Sequence, residues 1–166
     1  MNMLYRIPPL SSFLPLYLLT AVLCLLLYSQ GLAQQDNSSA RCAITLREIA
    51  AENSRKGIDP KLKDIKKDLS KLSYSTFRLE KTSQVKIKKG ETKSFDLAGK
   101  NRLELTAENF EEGKIRLKVK LSPVSSNEKA LVTTVRTPDG GTFLIGGPSY
   151  DGNKVLILAL TARLED

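Results

Sequence analysis

Four cations at alternate positions, Lys114, Arg116, Lys118 and Lys120, are the residues of this chain whose spacing could hold a ligand. Ile115, Leu117, Val119 and Leu121 stand between them, so a period of two sends the apolar set to one side of a strand and the cations to the other. Such a row attracts phosphate and carboxylate without fine geometry, which makes it a candidate face for an anionic surface or an acidic glycan. The plainer account is solubility and protection of a sheet edge. Nucleic acid is disfavoured as a partner. Single-stranded ligands need aromatic stacking platforms, and Tyr74, Phe77, Phe95, Phe110, Phe143 and Tyr150 mostly sit in apolar registers.

Catalytic chemistry is poorly supplied. The chain has no histidine, which removes the commonest metal ligand and the side chain best suited to proton transfer near neutral pH. Glu108, Glu111 and Glu112 gather near one turn, with Asp139 and Asp151 at two others, but no calcium-loop spacing relates them. Serines and lysines are plentiful, and nothing marks one serine as a nucleophile. The expectation is a protein that is not an enzyme, with no catalytic residue, no metal ligand and no cofactor.

Asp139-Gly140-Gly141-Thr142-Phe143-Leu144-Ile145-Gly146-Gly147 is the most motif-like stretch. A phosphate-cradling loop would end in Gly-Lys-Ser/Thr before a helix, whereas here Pro148 and a second turn, Asp151-Gly152-Asn153, follow. Asp139, Gly140, Gly141, Gly146 and Gly147 therefore read as structural turn residues that supply positive φ angles.

The elements that must position these residues are mostly strands. Cys42, Ile44 and Leu46 alternate with polar residues over Arg41 to Ile49, and Ala50 to Gly57 reads as a loop. Asp59-Pro60 starts the one helix, near 59–72, with an apolar stripe of Leu62, Ile65, Leu69 and Leu72 opposite Lys61, Lys63, Lys66, Lys67 and Lys71. After Ser73 the period stays at two. Phe77 and Leu79, Val85 and Ile87, Phe95 and Leu97, then Leu103, Leu105 and Ala107 mark successive half-buried strands. Lys89-Gly90, Ala98-Gly99-Lys100-Asn101 and Glu111-Glu112-Gly113 between them have lengths that favour antiparallel hairpins. Leu131 to Arg136 and Thr142 to Ile145 follow, and Val155 to Leu160, apolar throughout, fits a strand covered on both faces.

Residues 1–33 read as an export signal. Arg6 is their only charge, an apolar run extends from Phe13 to Tyr28, and Gly31-Leu32-Ala33 offers small residues for cleavage. That run spans about 16 residues and includes Pro15, short of the roughly 20 that cross a bilayer, so cleavage is favoured over a retained anchor. Residues 34–40 are polar and expected to be disordered, leaving 41–166 as a single β-rich domain with no transmembrane segment after cleavage. Losing Arg6 lowers the net charge of +8 by one. Cys42 is then the lone thiol, most simply a small core residue, and no internal disulfide is available.

Val135-Arg136-Thr137-Pro138-Asp139-Gly140-Gly141-Thr142-Phe143-Leu144-Ile145-Gly146-Gly147 resembles the hairpin of the secretin domain, which carries a D-G-x-T-x-x-I-G-G pattern after a strand. Val155 to Arg163 is also similar to the apolar closing strand of that domain. The resemblance covers the C-terminal third and implies a secretin-related envelope component. Pro148 stands where the secretin pattern usually has Leu, and the chain is too short to build the multi-stranded barrel wall.

The fold expected from all segments is α+β, mostly β: an antiparallel sandwich-like domain of about seven to nine strands with one helix packed on a sheet. The function expected is an exported, non-catalytic interaction or assembly subunit of a larger periplasmic or envelope complex, with protein partners. Its alternatives are the secretin-related component and a polyanion- or glycan-binding module using the basic strand face.

Overall fold

The computed structural model describes residues 40–54, 57–123 and 129–165; the export signal expected over 1–33 and the polar stretch up to residue 39 lie outside them. Among the described residues, nine strands form two sheets. The first sheet has the order β2-β3-β1-β9-β8, with β1 Arg41–Glu52, β2 Gly57–Ile58, β3 Thr76–Lys88, β8 Thr142–Tyr150 and β9 Lys154–Glu165. The second has the order β4-β5-β6-β7, with β4 Thr92–Leu97, β5 Asn101–Glu111, β6 Lys114–Pro123 and β7 Leu131–Pro138. All neighbours are antiparallel except the short β2–β3 pair. The domain is a mostly-β, α+β sandwich.

Period-two patterning explains its two cores. Ile44, Leu46, Leu156, Leu158 and Leu160 meet Leu103, Leu105, Ile115, Leu117, Val119 and Leu121 between the sheets. On the other side of the first sheet, Ile49, Ala51, Phe77, Ile157 and Ala159 are capped by Leu62, Ile65 and Leu69. The continuous apolar run of β9 is thus accounted for, because alternate residues enter alternate cores and Leu156 through Leu160 are all buried.

The helix is shorter than its apolar stripe implies. Pro60–Ile65 is a 3-10 helix that runs into a single α-helical turn, α1, Lys66–Leu69, with Leu62 outside helical dihedrals. A segment this short has little helical stability of its own, so docking decides its shape. Asp59 Oδ1 accepts from Lys61 N at 2.9 Å and Oδ2 accepts from Leu79 N at 3.3 Å, tying the start to β3. Arg47 donates to both oxygens of Asp64 at 2.8 and 2.6 Å and holds that carboxyl below its ordinary range. Leu72 still packs on the outer core from the bend beyond the helix. Asp59→Ala should cost about 1–2 kcal/mol in chemical denaturation, because two backbone donors lose their acceptor.

Three further boundaries differ from expectation. The strand expected over Arg41 to Ile49 continues to Glu52, because Ala50 and Ala51 are small enough to be buried between β3 and β9. The two runs around Phe77 and Val85 are one strand, β3. Glu48 pairs with Lys81 and Ile49 with Leu79, so Glu80 is an extra residue, and this bulge moves odd-numbered residues from the outer core at Phe77 to the inter-sheet core at Ile87. The turn at Lys89-Gly90 is not a hairpin either; it carries the chain from the first sheet to the second, with Gly90 N donating to Ala107 O at 2.7 Å. The β4–β5 and β5–β6 connections are hairpins, and Glu112 and Gly113 both take positive φ, as a two-residue turn requires.

Val135 to Gly147 does not fold as a hairpin. β7 pairs with β6 and β8 with β9, so the Asp139-Gly140 turn joins opposite sheets. Among the described residues, no helix is long and apolar enough to cross a membrane.

Candidate anion-binding face

The basic row lies on the outer side of the second sheet. Ile115, Leu117, Val119 and Leu121 enter the inter-sheet core, which leaves Lys114, Arg116, Lys118 and Lys120 on the opposite face of β6. β6 has a strand on each side, so edge protection does not account for these cations.

Register sets the charge around them. Across β5 the row meets Glu111, Asn109, Thr106 and Glu104; across β7 it meets Pro138, Arg136, Thr134 and Val132. Lys120 Nζ lies 3.0 Å from Glu104 Oε2, and Lys114 Nζ lies 4.0 Å from Glu112 Oε2. These exposed pairs temper the two ends of the row weakly. In the middle, Arg116 is directly opposite Arg136, and the β5 bulge at Glu108 brings an amide, Asn109, rather than a carboxylate to its other side. Like charges directly opposite in an antiparallel pair destabilise it, so the sheet itself gains nothing from this arrangement. Asn109, Glu111, Glu112, Lys114, Arg116 and Arg136 line an open depression of about 190 Å³ there.

Arg136 is the member of this face that period-two patterning alone does not reveal. It falls in the expected strand Leu131 to Arg136, but only the β6–β7 register places it against Arg116.

The glycine-rich stretch serves the fold. Asp139 N donates to Gly113 O at 2.9 Å, Gly140 N to Ala162 O at 2.8 Å, and Leu164 N to Asp139 Oδ1 at 2.8 Å. One turn thereby fastens the β5–β6 connection of one sheet to β9 of the other. Gly140 has φ of +71°, while a Cβ on Gly141 would meet the Thr137 hydroxyl and the Pro138 carbonyl. Gly146 and Gly147 lie within β8, at a bulge rather than a turn, and a Cβ on Gly147 would come 2.9 Å from Leu156 O.

The remaining candidates stay apart. Asp151 pairs with Lys154 at 2.7 Å in the β8–β9 turn, and among the described residues no three Cys, Asp or Glu side chains converge as metal ligands. Cys42 is fully buried, and burial pushes its thiol up to about 11. Glu48 is a buried carboxylate that alternation does not foretell: Oε2 accepts from Ala98 N at 3.0 Å and Oε1 lies 3.7 Å from Lys81 Nζ. It ties β1 to the β4–β5 turn. Burial also pushes the Tyr150 phenol up, with the Glu80 carboxylate adding to the effect. Glu48→Ala should lower stability by about 1–3 kcal/mol in urea titration, since it orphans the Ala98 amide.

No protein-family model matches the chain, and no curated protein matches it in sequence.

Proposed function

We propose that this chain is an exported, non-catalytic interaction subunit that docks onto a larger periplasmic or envelope complex through the outer face of its second sheet. The observation that carries the reading is the Arg116–Arg136 opposition, flanked by Lys118 on an interior strand. A cost to the sheet is offset when an acidic group of a partner sits between the guanidiniums, and each arginine presents a fork that suits carboxylate. The export signal of residues 1–33 supports the compartment.

The test is capture of partners by the tagged full-length protein expressed in its native host, with N-terminal sequencing of the purified product. A product beginning near Gln34 that retains a defined protein set at low salt and releases it as salt rises supports the reading. An unprocessed cytosolic product would overturn it.

The same row favours a second reading, a polyanion or acidic-glycan module. That reading expects heparin retention that falls steeply with salt and needs no protein partner.

A further inference from the structure

Beyond its charge, this face borders the regular edge of the second sheet. β7 is the terminal strand in the order β4-β5-β6-β7, and its pairing with β6 shows no register shift. Asp139 N donates to Gly113 O, which makes residues 113 and 139 a hydrogen-bonded pair, and the alternation continues along the ladder. Thr137, Val135 and Thr133 therefore bond to β6, while the backbone N–H and C=O groups of Val132, Thr134 and Arg136 point outward. Among the described residues, no backbone or side-chain group bonds to them.

The other edges are treated differently. β8 is broken by the Gly146–Ser149 bulge and carries Pro148, β2 is two residues long, and β4, although its pairing with β5 is regular, spans six residues and exposes the polar Thr92, Ser94 and Asp96. β7 carries the large apolar side chains that are exposed among the described residues, Leu131 at 46% and Val132 at 53%. Next to its start, Leu121, Pro123, Leu131 and Pro148, together with the polar Asn101 and Lys129, line a notch of about 170 Å³ between the two sheets. An edge left regular and apolar invites another strand.

We infer that β7 receives an extended acidic segment of a protein partner as an added antiparallel strand. The inference rests on the docking reading above and names the partner's chemistry. Residues of the added strand opposite Val132, Thr134 and Arg136 share their face, so their side chains lie beside Arg136, with Arg116 one strand further in, and carboxylates are favoured there. Alternate residues turn to the inner side, where the notch takes an apolar side chain. A second copy of this chain is a poor occupant. Pairing β7 with itself brings two sets of Arg116, Lys118 and Arg136 onto one face.

The experiment uses the full chain and a synthetic octapeptide of alternating Glu and Val, with heparin as the rival anion. Amide hydrogen exchange at Val132, Thr134 and Arg136 should slow by about tenfold or more when the peptide is added. Thr134→Pro removes one outward donor without touching a β6–β7 bond and should weaken the peptide by about tenfold while heparin retention stays unchanged. Val132→Pro serves the same purpose if circular dichroism shows the first variant unfolded. Unchanged exchange on adding peptide, or full peptide binding by a folded proline variant, overturns the inference. So does protection of the three amides by dimerisation alone, which makes a second copy the occupant. The docking reading fails separately, if Arg116→Glu leaves native-host partner capture intact.

Discussion

Arg116→Glu should make the domain more stable and at the same time weaken capture of the acidic partner proposed for this face. The substitution turns a like-charge pair across β6 and β7 into an opposite-charge pair with Arg136, while Leu117 and Ile115 beneath it are untouched. Cross-strand pairs of this kind contribute about 0.2–1 kcal/mol, so thermal unfolding should move up by roughly 1–4 °C. Capture of acidic partners should fall by about tenfold or more, because a carboxylate now repels the group the arginine attracted. Loss of binding through misfolding would lower the melting temperature instead, so the opposite signs separate the two causes. A surface kept at the expense of stability is what a binding site is expected to show.

Leu158→Ala should have the largest effect on the fold. Leu158 is fully buried on β9, between the sheets, opposite Glu48 on β1 and Ile145 on β8. Removing its side chain leaves a cavity that two strand-paired neighbours prevent from closing, at a cost of about 3–5 kcal/mol. For a domain of this size that should lower the melting temperature by roughly 10–20 °C. Ala159, on the same strand, faces the outer core under Leu62 and Ile65. The domain stands on both cores, and β9 belongs to each.

What could be foreseen from the residues follows from this geometry. Alternation in β6 needs no knowledge of a partner strand, so the basic row and its buried complement were legible directly. The unbroken apolar run Val155 to Leu160 likewise marks a strand covered on both faces, and β9 is an interior strand of the first sheet. Information that depends on register was hidden. The extra residue at Glu80 reverses the inward face of β3 with no mark in the composition, and the Lys89-Gly90 and Asp139-Gly140 turns look like hairpin turns although each changes sheet. Arg136 is an ordinary exposed arginine until pairing sets it against Arg116. The helix was overextended because Leu72 keeps the stripe after the backbone has left it, its burial supplied by the outer core.

The most direct test of the docking face is amide-shift mapping by NMR, with the labelled protein titrated with the partner recovered from its native host. The account predicts perturbations centred on Arg116, Lys118, Thr134 and Arg136, absent from the segment around Leu62 and Leu69, and abolished by Arg116→Glu. Shifts confined to the segment around Leu62 and Leu69, with β6 and β7 unchanged, would contradict it.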